Sequence, residues 1–123
     1  MRLANEKTML EVVADQRGCP TSAEDLANVL RTLATGTVCG LLHVTNSGDC
    51  TWHGFAEAIV RQMGLPTIVR PISTAQAGRP AKRPAYSVLA QERLATLGQR
   101  LPHWQDALAR CMKRMTHLAP ATS

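Results

Sequence analysis

Apolar and polar residues follow two periods along this chain, and each change of period marks a new element. Met9-Leu10-Glu11-Val12-Val13-Ala14 is short, apolar and β-prone, which predicts a largely buried strand over 9–14. Gly18 and Pro20 break that run. Thr21 with Glu24 three residues later is a capping-box pattern, and predicts a helix over 22–35 with Leu26, Val29, Leu30 and Leu33 on its apolar face. Gly36 closes it as a C′ glycine. A second strand is expected over 38–45, then an Asn46-Ser47-Gly48-Asp49 turn. Thr51 caps a predicted helix over 52–63, in which Phe55, Ile59, Val60 and Met63 share a face. Gly64 and Pro66 end it. Ile68-Val69-Arg70-Pro71-Ile72 reads as a short strand that leads into a loop from Ser73 to Tyr86. Leu89, Leu94 and Leu97 suggest a short helix, and a last helix after Pro102 is expected to bury Trp104, Leu108, Cys111, Met112 and Met115. A helical start over 2–7 and a frayed tail over 119–123 complete the pattern.

The stretch from Asp15 to Ala27 is therefore a strand exit, a tight turn and a helix start. Its loop lies at the carboxyl end of a strand, where open α/β sheets place their ligands.

Composition narrows the class. A chain of 123 residues is expected to form one domain, over 1–118. Aromatics make up only 3%, so the core must be aliphatic. No run approaches the ~20 apolar residues of a membrane span. Met1-Arg2-Leu3-Ala4-Asn5-Glu6 lacks the apolar region of a signal peptide, so a cytoplasmic setting is expected. The four cysteines, Cys19, Cys39, Cys50 and Cys111, form no Cys-x-x-Cys pair and are expected to be reduced. Cys39, His43, Cys50 and His53 have a spacing that fits no common zinc module. Buried thiols and a strand histidine are the expectation instead, with no metal.

Charge is uneven. Residues 1–69 carry five basic and seven acidic side chains, whereas residues 70–123 carry nine basic and two acidic, a net of +7. The basic half offers no aromatic platform beyond Tyr86 and Trp104, which argues against a nucleic-acid partner. A solvated basic face is one reading. A diphosphate-binding patch around Arg79, Lys82 and Arg83 is another, since one or two arginines suffice for such a group.

The wording of four motifs, and of a helix opening after them, goes further. Asp15-Gln16-Arg17-Gly18-Cys19-Pro20-Thr21 followed by Asp25-Leu26-Ala27 resembles the second half of dTDP-4-dehydrorhamnose reductases, which are extended short-chain dehydrogenases. Gly40-Leu41-Leu42-His43-Val44-Thr45-Asn46-Ser47-Gly48 resembles that family's Gly-Leu-Tyr-His strand. Thr51-Trp52-His53-Gly54-Phe55-Ala56 resembles its Ser/Thr-Trp-x-x-Phe-Ala helix start, and Pro80-Ala81-Lys82-Arg83-Pro84-Ala85-Tyr86-Ser87-Val88-Leu89 its Pro-Ala-x-Arg-Pro-x-x-Ser-x-Leu segment. Leu101-Pro102-His103-Trp104-Gln105 resembles the opening of its last helix.

The resemblance implies an α/β fold: the terminal strands and substrate-binding part of a Rossmann-type reductase, without the amino-terminal cofactor half. In the intact family enzyme a hydride passes from NADPH or NADH to the C4 ketone of a dTDP-sugar while a tyrosine supplies the proton. No Gly-x-Gly-x-x-Gly loop occurs here, and the single tyrosine, Tyr86, is followed four residues later by Ala90 instead of lysine. The expectation is that this chain alone binds no cofactor and carries no catalytic residue. Some family members hold magnesium through glutamates near a dimer interface. The last helix here has no carboxylate after Asp106, so no metal is expected.

By motif match, Gln16, Trp52, Arg83 and Ser87 are the candidate residues for the dTDP-sugar. Gln16 stands at the strand's end, Trp52 in a first helical turn, and Arg83 is biased toward extended backbone by Pro84. The implied partner is a Rossmann half, on this chain or another, and the resemblance leaves room for a homo-oligomer. Two further readings stand beside this one: a non-catalytic regulatory or binding module of the same fold, and a small basic nucleic-acid-binding protein.

Overall fold

The computed structural model describes residues 6–118. Its elements run β1 (Met9–Val13), β2 (Arg17–Gly18), α1 (Ala23–Ala34), β3 (Cys50–Thr51), α2 (Trp52–Gln62), β4 (Ile68–Ile72), α3 (Glu92–Thr96) and α4 (Trp104–Leu118). The tail over 119–123 and residues 2–5 of the expected helical start lie outside the described residues. The described residues form two compact units, 6–18 with 49–88 and 19–48 with 89–118. No helix among the described residues is long and apolar enough to cross a membrane.

In the first unit β1 and β4 pair in parallel, from Met9 opposite Ile68 to Val13 opposite Ile72. Pro71 has no N–H to give, which suits a strand paired on one side only. Helix α2 packs on both strands and, with Val13, buries Ala58 and Val60. Thr51 caps α2 as expected, its hydroxyl accepting from the Gly54 N–H at 3.0 Å. The expectation of a largely buried first strand needs correction: Met9 and Glu11 are exposed and only Val13 is buried. Among the described residues β1 has one strand neighbour, so half of its surface faces outward. A short antiparallel pair sets Arg17 opposite Thr51 and Gly18 opposite Cys50.

The second unit is helical, with Val29, Leu94 and Leu101 buried together and Leu33, Leu42 and Val44 packed against them. Trp104, Ala107 and Leu108 anchor the start of α4. The strand expected over 38–45 does not form: no strand pairs with it among the described residues, and Leu42 and Val44 turn into the helical core instead. The cap expected of Thr21 belongs to Ser22, whose hydroxyl accepts from the Asp25 N–H. Thr21 accepts instead from the Asn46 N–H, and Glu24 pairs with arginines of α4 instead of closing a capping box. Leu30, Cys111 and Met115 are exposed: Leu30 falls off the stripe of Val29 and Leu33 that meets the core, and among the described residues the fully buried positions of α4 end at Leu108.

No disulfide joins any of the four cysteines. None is buried: Cys39 and Cys111 are exposed, Cys19 and Cys50 half-buried. The sequence expectation of buried thiols fails: Cys19 and Cys39 lie in loops, Cys50 in the two-residue strand β3 and Cys111 on an exposed position of α4.

Asn46 has no exposed surface and ties the second unit together. Its Oδ1 accepts from the Ser22 N–H at 2.7 Å, and its Nδ2 donates to Asp25 at 2.7 Å and to the Pro102 carbonyl at 3.0 Å. Asp25, 7% exposed, also receives Arg110, and these donors hold its carboxyl below the usual carboxylate range.

Candidate functional site

The strand exit Asp15-Gln16-Arg17 fastens both ends of the basic loop that follows β4. At the near end, the Asp15 carboxylate accepts from the Thr74 N–H at 2.9 and 3.0 Å and from the Thr74 hydroxyl at 2.6 Å. Those bonds hold the Asp15 carboxyl below its ordinary range. At the far end, the Arg17 N–H donates to the Ala85 carbonyl at 2.8 Å, and the Arg17 carbonyl accepts from the Ser87 N–H at 3.0 Å and hydroxyl at 2.9 Å. The Arg17 guanidinium is itself held 2.6 Å from Asp49. The loop between these tethers carries Arg79, Lys82 and Arg83.

The near tether is built on a turn that the hydrophobic pattern left as plain loop. Ser73 and Gln76 form a reciprocal pair, with the Ser73 N–H donating to the Gln76 side chain at 2.8 Å and the Gln76 N–H to the Ser73 hydroxyl at 3.2 Å. Ser73-Thr74-Ala75-Gln76 is a capping-box sequence, so the signal was present in the residues.

Between β1, α2 and this loop lies a cleft of about 360 Å³, lined by Val12, Val13, Gln16, Trp52, Phe55, Ile59, Arg79 and Arg83, with Glu11 and Ala56 at its margin. Three of the four residues singled out from the sequence meet there. Gln16 is 4% exposed and donates from Nε2 to the Thr74 hydroxyl at 2.9 Å, while its main-chain carbonyl accepts from the Trp52 N–H at 3.3 Å. Trp52 stands half-exposed in the first turn of α2, and Arg79 and Arg83 are exposed at the rim. Ser87 is not brought to the cleft: its hydroxyl is committed to Arg17. Phe55 and Ile59 had been expected only as helix-face residues, and the structure adds them to the apolar wall.

The cleft thus offers an aromatic face, an aliphatic wall, a buried carboxamide and two guanidinium groups. That set suits a flat ring joined to a diphosphate better than a metal ion. His53, one of the zinc candidates, donates from Nε2 to the Val69 carbonyl at 3.0 Å and approaches Glu57 at 3.4 Å. Among the described residues no three of histidine, cysteine, aspartate and glutamate gather as ligands.

The first turn of α1 carries Glu24 and Asp25, and both carboxylates are engaged by Arg110. No glycine-rich turn precedes it.

A family model described as the RmlD substrate binding domain matches residues 1–117. The chain is 42% identical over 108 residues to the spore coat polysaccharide biosynthesis protein SpsK of Bacillus subtilis, covering 88% of this chain and 38% of that protein. It is 42% identical over 125 residues to the dTDP-4-dehydrorhamnose reductase of Mycobacterium tuberculosis, covering 99% and 40% respectively. The dTDP-4-dehydrorhamnose reductase of Clostridium acetobutylicum superposes with a TM-score of 0.90 at 35% identity, over 94% of this chain and 41% of that one. The Bacillus anthracis dTDP-4-dehydrorhamnose reductase in complex with NADP gives 0.88 at 35% identity, over 92% and 41%. The fold is the α/β fold of these reductases, and the chain spans about two-fifths of the length of the relatives it matches.

Proposed function

The chain belongs to the RmlD substrate-binding-domain family, and from that membership we propose that it is the sugar-nucleotide-binding portion of a dTDP-4-dehydrorhamnose reductase. The reaction is the NAD(P)H-dependent reduction of dTDP-4-dehydro-L-rhamnose to dTDP-L-rhamnose. One observation carries the reading: Gln16, Trp52 and Arg83, separated by up to 67 positions in the chain, line one cleft together with Arg79.

The residues divide the work by chemistry. Arg79 and Arg83 neutralise the diphosphate, each able to present a planar pair of N–H donors. Trp52 and Phe55 offer faces on which the thymine ring stacks, at low entropic cost for stiff side chains. The aliphatic wall of Val12, Val13 and Ile59 excludes water from one side of the ligand. Gln16 hydrogen-bonds the ligand from the floor.

The nicotinamide cofactor supplies the hydride, and it sits elsewhere. With no glycine-rich loop and no Tyr-x-x-x-Lys, this chain takes the role of holding and orienting the sugar nucleotide, inactive by itself, in a cytoplasmic setting. Its partner is an amino-terminal cofactor-binding portion. The test is a titration of the purified chain with dTDP-L-rhamnose, followed by heteronuclear NMR. Shifts concentrated at Gln16, Trp52, Phe55, Arg79 and Arg83 support the proposal. Shifts confined to other positions, or none at millimolar ligand, overturn it.

A further inference from the structure

Thr74 stands between a carboxylate and a carboxamide, and its hydroxyl has only one proton. Asp15 accepts that proton at 2.6 Å, and an ionised carboxylate can do nothing but accept. The Thr74 oxygen is then left with lone pairs alone, so what approaches it at 2.9 Å from Gln16 must be an N–H. This assigns the carboxamide by chemistry, where its two ends would otherwise look alike. The Nε2 end is turned to Thr74, and the Oε1 end points away from it.

We infer that Asp15 and Thr74 are positioning residues that hold Gln16 in one orientation, so that the cleft presents a fixed carbonyl acceptor to an N–H or O–H donor of the ligand. The inference rests on the sugar-nucleotide reading for the identity of that ligand, but not for the orientation itself. Three features make the fixing effective. Gln16 is 4% exposed, so water competes little for its amide. Its main-chain carbonyl is held by Trp52, which anchors the residue at its own backbone. Thr74 is pinned through its N–H to both Asp15 oxygens, at 2.9 and 3.0 Å, on a backbone that the Ser73–Gln76 turn holds, so its hydroxyl can swing away only by giving up its 2.6 Å bond to Asp15. A free carboxamide flips between donor and acceptor faces. A fixed one discriminates, because a ligand offering a lone pair where a proton is wanted leaves the buried oxygen unpaired.

Thr74→Val keeps the shape and the N–H bond to Asp15 while removing the hydroxyl, and Thr74→Ser restores it. Without ligand, the Gln16 side-chain amide protons should be well separated and slow to exchange in the natural chain, collapse toward solvent-like values in T74V, and recover in T74S. With ligand, T74V should weaken binding about fivefold to tenfold, the scale of one hydrogen bond, with recovery in T74S. Comparing dTDP with dTDP-L-rhamnose locates the donor. A loss for both puts it on the thymine imide; a loss for the sugar nucleotide alone puts it on a sugar hydroxyl. Unchanged Gln16 amide signals in T74V overturn the positioning role. Altered signals with undiminished affinity for both ligands overturn the recognition role. If the natural chain binds neither ligand while T74V still releases the amide, the sugar-nucleotide reading fails and the positioning stands.

Discussion

Arg110 places its Nη2 2.7 Å from the Asp25 carboxylate, and this contact joins the last helix to the first turn of α1. The same guanidinium holds Asp106 one turn earlier at 3.0 Å. Arg110 therefore belongs to the framework of the second unit, although nothing in the charge pattern separates it from the other cations of the basic half.

Removing one partner of this pair should cost more than an ordinary surface ion pair. Asp25 is 7% exposed and would be left without its guanidinium, but Arg110 is itself 35% exposed, so water softens the loss. Arg110→Ala is expected to destabilise the chain by about 2 kcal/mol, between the values typical of surface and fully buried pairs. Asn46→Ala should cost at least as much, because it strips partners from Ser22, Asp25 and Pro102 together. Chemical denaturation of the two variants, compared with Lys113→Ala on an exposed face, measures both.

Acid should act through the same carboxyl. The hydrogen bond from Arg110 is the main cause of the lowered Asp25 pKa, with Asn46 assisting against the cost of burial. A folded pKa below the unfolded one means that the stabilisation is whole above the ordinary carboxylate value, near pH 4, and is lost as pH falls through the lower folded value. Thermal midpoints from about pH 5 downward should fall more steeply in the natural chain than in Arg110→Ala. Equal slopes would place the acid-sensitive group elsewhere.

Gly48 should resist replacement for two separable reasons. Its φ of +76° disfavours any residue with a Cβ, at a cost of roughly 1–2 kcal/mol. An added Cβ would also fall 2.2 Å from the His103 ring, forcing that ring out of its place beside Gln105. Gly48→Ala is expected to be strongly destabilising, and adding His103→Ala should recover the steric part alone. Complete recovery in the double variant would contradict the backbone argument.

In the cleft, Arg83→Ala should weaken dTDP-L-rhamnose binding by about tenfold to a hundredfold, the loss of a charge-assisted contact. Arg83→Lys should recover only part of it, since an ammonium cannot reproduce the planar fork. Lys113→Ala controls for general positive charge and should bind normally. Equal losses in Arg83→Ala and Lys113→Ala, by calorimetry, would reduce the basic loop to a solvated face.

Ile68 is 65% exposed on β4, beside the outward-facing Met9 of β1. An open parallel pair bearing such side chains invites association. Ile68→Lys should raise the monomer fraction in sedimentation experiments while changing unfolding free energy by less than about 0.5 kcal/mol.

Much of this was readable from the chain itself. β-prone apolar runs with Gly and Pro at their ends located β1 and β4, and Thr51 marked the start of α2, because local propensity and capping act over a few residues. Four motifs in order carried the family and three of the cleft residues. What the chain could not reveal depended on partners distant in sequence. Residues 38–45 have the composition of a strand, but a strand needs a neighbour, and Leu42 and Val44 pack on a helical core instead. The capping-box pattern pointed to Thr21, yet Asn46, 25 positions away, engages the Thr21 oxygen and Ser22 caps α1. Ser87 matched its motif as well as Gln16 did, yet the Arg17 carbonyl claimed its hydroxyl while Thr74 aimed the Gln16 amide. Hydrogen-bond direction and burial are properties of assembled neighbours, so only the tertiary structure could decide which matching residues line the cleft.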